Sequence, residues 1–97
     1  MKTRKRTILL GAAIALLAGP AAAECYADYR AKMDDPLRLH YGVIELPDWA
    51  CSVEDAGSII SARIAVGGWQ LLEVISVFDE NGLDGRRTDA GSYFLRF

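Results

Sequence analysis

The chain has 97 residues, 25% of them charged, and a formal net charge of −2. Four of its bases lie in an amino-terminal stretch that reads as removable; without residues 1–23, 74 residues remain, with 7 Lys+Arg against 13 Asp+Glu, a balance of −6. A chain of that size has room for one small domain, and its acidity argues against nucleic acid or anionic lipid as partners, because both select basic surfaces.

The removable stretch has three parts in order. Lys2, Arg4, Lys5 and Arg6 give a basic start, and Ile8 to Ala18 is an uncharged apolar run of 11 residues. Gly19-Pro20 breaks it, and Ala21-Ala22-Ala23 supplies the small residues a signal peptidase accepts. The expectation is a signal peptide over 1–23, cleaved after Ala23, and a single domain over 24–97 that is periplasmic or secreted. As a membrane anchor the uncharged stretch Thr7–Ala23 is only 17 residues long and interrupted, so no membrane association is expected after cleavage. Glu24 precedes Cys25, which does not suit lipid attachment, and Lys5 separates Arg4 from Arg6, which does not suit a twin-arginine signal. In an oxidising compartment Cys25 and Cys51 are expected to form a disulfide. Closing a loop of about 26 residues stabilises by roughly 3.5 kcal/mol in the chain-entropy model.

The first element, Cys25 to Asp35, spaces Tyr26, Tyr29 and Met33 as a short helix would, with Pro36 as its stop. Leu37 to Leu46 alternates partly and predicts a strand. Pro47-Asp48 is turn chemistry. Ser52 to Asp55 then has the form of a helix start, with Ser52 as cap and two acids in the first turn. Val53, Ala56, Ile59, Ile60 and Ile64 mark one helical face, and Gly67-Gly68 ends it. Trp69 to Phe78 predicts the central strand. It is apolar on both faces, so one must be covered by the N-terminal segment, by Trp49 or by a second copy of the chain. Asp79 to Gly91 predicts a polar loop with turns at Asn81-Gly82 and Asp84-Gly85, and Ser92 to Phe97 a last strand.

The predicted fold class is α+β: a small β-α-β-β sheet, half-ferredoxin-like, with one main helix packed on it and a short N-terminal helix. A right-handed crossover makes the first two strands parallel. Inserting the last strand antiparallel between them gives the order 1-3-2, with 1-2-3 as the alternative. The passage Gly67-Gly68-Trp69-Gln70-Leu71-Leu72, then Val77, and the ending Tyr93-Phe94-Leu95 resemble the uncharacterised family known as domain of unknown function 4177, over about Tyr41 to Phe97. The mature chain also resembles small exported bacterial proteins known only as hypothetical. The resemblance implies a similar order of elements and no activity.

Chemistry is sparse. His40 is the lone histidine; as a general base or metal ligand it would need companions, and no nucleophile-elbow pattern surrounds Ser52, Ser58, Ser61, Ser76 or Ser92. Zinc would need several His or Cys ligands. Asp79, Glu80, Asn81 and Asp84 do not meet the calcium-loop pattern, and Arg86-Arg87 follow at once. Asp34-Asp35 and Glu54-Asp55 sit at helix ends, and Gly67-Gly68 closes a helix rather than opening a phosphate cradle. Hence no catalytic residue, metal or cofactor is assigned. Trp49 and Trp69, with Tyr41, Tyr93 and Phe97, form the candidate binding surface, since exposed aromatic anchors dominate binding. The expected function is a non-enzymatic binding module of the bacterial envelope, engaging an unidentified protein partner or a second copy as a homodimer. The alternatives are a small enzyme or metal-binding protein centred on His40, or an inhibitor of an exported enzyme.

Overall fold

The computed structural model describes residues 24–97; the signal-peptide reading of 1–23 lies outside the described residues. The fold is α+β. Strands β1 (Cys25–Met33), β2 (Arg38–Leu46) and β3 (Gln70–Phe78) form one antiparallel sheet in the order β2-β1-β3. Helix α1 (Val53–Ala65) joins β2 to β3, and a short helix α2 (Asp84–Ala90) follows β3.

The N-terminal element is the first correction: Cys25–Met33 is a strand, not a helix, and it is the central one. Its period of two is carried by Cys25, Ala27, Tyr29, Ala31 and Met33, which all join or pack against the core under α1. Two of those five are alanines, too small to announce a buried face, so the larger Tyr26, Tyr29 and Met33 suggested helical spacing instead. Ala27 and Ala31 are fully buried. Pro36 stops no helix; it sits in the turn between β1 and β2, where Asp35 takes the left-handed region at φ 58°, which Asp tolerates better than most residues.

β2 pairs with β1 from Cys25↔Leu46 to Met33↔Arg38. β3 pairs antiparallel with the opposite edge of β1, from Tyr26↔Phe78 to Lys32↔Gln70, with two irregularities in register. β2 and β3 are therefore parallel to each other, connected through α1, with an antiparallel strand inserted between them. That arrangement is the expected one, but the inserted strand is β1 and not Ser92–Phe97. The segment over Trp69–Phe78 is correspondingly an edge strand rather than the central one.

With the middle position filled, the backbone of the last residues bonds to the outer edge of β2. Gly91–Tyr93 forms a 3-10 turn, Val43 makes a single parallel bridge with Phe94, and the Leu95 amide donates to the Val43 carbonyl at 2.8 Å. Leu95 itself turns to φ 55°, which carries the chain off a strand path. The polar loop over Asp79–Gly91 also needs correction: Asp84-Gly85 opens α2, in which Ala90 is the buried residue.

α1 follows the expected pattern. Ser52 caps it, its hydroxyl accepting from the Asp55 amide at 3.1 Å. Ala56, Ile60 and Ile64 are fully buried against the first face of the sheet. Gly68, at φ 87°, ends it with bonds from the Gly68 and Trp69 amides back to the Ala65 and Ile64 carbonyls. The Cys25–Cys51 disulfide is formed, with Cα atoms 5.9 Å apart, and ties the start of the central strand to the segment leading into α1. No helix among the described residues is long and apolar enough to cross a membrane.

Candidate functional site

Alternation along β1 and β2 sorts the chemistry-bearing side chains onto two faces. On the first face, under α1, His40 lies opposite Ala31 and Gly42 lies opposite Tyr29. A Cβ at Gly42 would come within 2.5 Å of the Tyr29 hydroxyl oxygen. The glycine thus leaves the bare backbone on which the phenol lies, a cross-strand pairing that gives the aromatic ring a seat. From it the Tyr29 oxygen is 2.9 Å from Nε2 of His40.

The imidazole is enclosed by aromatic rings. Tyr93 stacks on it at 3.8 Å and 9°, Trp69 meets it edge-on at 4.3 Å, and Tyr29 and Phe97 complete the box at 5.3 and 6.2 Å. His40 is buried, and its Nδ1 has no hydrogen-bond partner. Burial first, and then the Arg96 guanidinium, push the imidazole down to about 4. It is therefore neutral at pH 7. Burial and then Tyr93 push the Tyr29 phenol up to about 12, so it is a neutral hydroxyl.

The second face carries a buried ionic cluster. The Asp28 carboxylate accepts from Ser76 Oγ at 2.6 Å, Tyr41 Oη at 2.8 Å and Arg86 Nε at 2.9 Å. Burial alone would raise its pKa; the hydrogen bonds from Ser76, Arg86 and Tyr41, with the Arg86 charge, hold it below the usual carboxylate value. Burial and the bond to Asp28 push Tyr41 up to about 12. Arg86 also donates to the Gly82 carbonyl at 2.8 Å and lies 3.9 Å over the Phe78 ring, which in turn stacks on Tyr26. Ser76 and Tyr41 tie the carboxylate to the two neighbouring strands, and Arg86 fastens α2 to it.

Beyond the edge of α2 the second face stays open. Arg30, Leu39, Tyr41 and Leu72 surround a groove of about 350 Å³, and Ala31 and His40, whose side chains point to the other face, complete its lining. Leu39 and Leu72 are 66% and 50% exposed. Arg30 pairs with Glu73 at 3.3 Å on the rim, both largely in solvent, where such a pair contributes little.

The five aromatic residues of the candidate surface thus fall in three places. Trp69, Tyr93 and Phe97 come together around His40, Trp69 being buried. Tyr41 lies on the opposite face, between the ionic cluster and the groove. Trp49 stands apart near the disulfide, 66% exposed. Asp28, Arg86 and Ser76, distant in sequence, escaped the sequence reading because no spacing rule joins them. Leu39 escaped because a single apolar residue on a strand's outer face has no distinguishing pattern. No family model, curated protein or solved structure matches this chain.

Proposed function

We propose that this chain is an exported, non-enzymatic binding module whose contact surface is the second-face groove, and that its partner is a protein segment. The observation that carries this reading is the placement of apolar Leu39 and Leu72 in solvent around a groove, while the polar groups nearest to it are bound up in structural contacts. The groove abuts β3, an edge strand. An added strand there would gain main-chain bonds along the edge and seat an apolar side chain between Leu39, Tyr41 and Leu72. The balance of −6 over residues 24–97 supports a protein over an anionic polymer. Export rests on the amino-terminal pattern and agrees with the disulfide.

A second reading, a homodimer joined through β3, is favoured by the exposure of Leu72 and Ile75 on that edge. An enzymatic or metal-binding role for His40 has less support, because its ring is buried, neutral and flanked by a cation. The test compares the oxidised chain with its Leu72→Asp and Trp49→Ser variants in affinity capture from envelope extract. A partner retained by the parent and by Trp49→Ser but lost with Leu72→Asp is the expected result. Retention indifferent to Leu72 would refute the groove, and a concentration-dependent dimer mass abolished by Leu72→Asp would transfer the assignment to the homodimer.

A further inference from the structure

We infer that His40 is an acid-sensitive latch for the carboxy-terminal segment Gly91–Phe97: when the imidazole takes up a proton, this segment leaves the sheet while the three strands and α1 stay folded.

The neutral ring suits its box. With its proton on Nε2, the neutral ring gives its one N–H to the Tyr29 hydroxyl at 2.9 Å and leaves only a lone pair on Nδ1 without a partner. An imidazolium has two N–H donors, and the second, on Nδ1, points where no acceptor stands. The groups around the ring make matters worse. β1 presents the Tyr29 hydroxyl. β2 presents Arg38, whose guanidinium lies 5.3 Å from the Trp69 ring that walls the box. The residue following the glycines of α1 presents the apolar edge of Trp69. The carboxy-terminal segment presents Tyr93, Phe97 and Arg96, the last lying 5.5 and 5.9 Å over those two rings. The charges near the box are cations, and among the described residues no carboxylate pairs with His40.

Relief must come from the wall that is held least. β2 is fastened to β1 through nine paired positions, and the α1 core is fully buried. The carboxy-terminal segment reaches the sheet through the Leu95 amide to the Val43 carbonyl, with Arg87 over Phe94 at 4.4 Å. Its two wall residues, Tyr93 and Phe97, are only partly buried. Lifting them opens the ring to water and removes Arg96 from its neighbourhood.

The sign follows from the direction of the shift. A base depressed from 6.5 to about 4 in the closed state binds more protons when open. Closure is therefore strongest above pH 6.5 and weakens as pH falls towards 4. Between pH 7 and pH 5 the closing equilibrium should weaken about 20-fold.

The experiment is residue-resolved amide exchange on the full oxidised chain at pH 7, 6 and 5, corrected for intrinsic rates. The expected result is an about 20-fold loss of protection at Leu95, with Ala27 and Tyr29 in the central strand unchanged. Unchanged protection at Leu95 would overturn the latch, and so would parallel loss at Leu95, Ala27 and Tyr29, which signals global unfolding. A His40→Phe variant should keep Leu95 equally protected at all three values. Independently of any variant, the ring protons of the lone histidine should titrate well below 6.5, and a midpoint at or above it overturns the proposal.

Discussion

The two faces of the sheet are covered by different physics. Under α1 the cover is apolar and periodic: Ala56, Ile60 and Ile64 meet Ala27, Tyr29, Ala31 and Ile44, all fully buried. On the other face the cover is a short helix with a single buried residue, Ala90, fastened by Arg86 reaching a buried carboxylate. One face is held by many small, non-directional contributions, and the other by a few directional ones. The first degrades gradually under substitution, whereas the second depends on one side chain.

That contrast can be broken most sharply at Arg86. Arg86→Ala leaves the Asp28 carboxylate buried with only two neutral donors, and removing one partner of such a pair costs about 3–5 kcal/mol. Urea unfolding should show the loss, and proteolysis should show residues 79–97 cut while the sheet and α1 resist. Equal protection of both regions would mean that α2 is held by something other than the ion pair.

A smaller effect is expected on the apolar face. Ile60→Ala should lower stability by about 3 kcal/mol through lost burial and a residual cavity, with one cooperative transition and no selective release of either region. A biphasic transition would contradict the distributed character of that core. Smaller again is Gly42→Ala, at about 2 kcal/mol from overpacking against the Tyr29 phenol. Its signature is a change in the His40 ring environment, read by nuclear magnetic resonance, because the seat of the hydrogen-bonding hydroxyl is disturbed.

The same contrast explains what the sequence disclosed. α1 was legible because its cap, its apolar period and its closing glycines agree, and β2 and β3 because they are rich in branched and aromatic residues. The disulfide was legible from the expected oxidising compartment and the single pair of cysteines. β1 was misread because alanines hold two of the five positions on its buried face, and its position in the centre depends on pairing with β3, far along the chain. α2 was misread because a helix held by one arginine needs no apolar stripe. Of the candidate site, Trp69, Tyr93 and Phe97 were named apart from His40, since a lone histidine in a strand carries no sign of what will stack on it. The groove depends on register and on where α2 stops, neither of which is local information.

The central position of β1 also bears on the order of assembly. It is the first of the three strands to be synthesised and the last to be completed. β2 can zip onto one of its edges through a short turn, but the other edge waits for β3, so that Asp28 meets Ser76 only 48 residues later. Until then the middle of the future sheet shows a bare row of amides and carbonyls to any chain nearby, and the protein is most exposed to mispairing at the strand that will end up best protected.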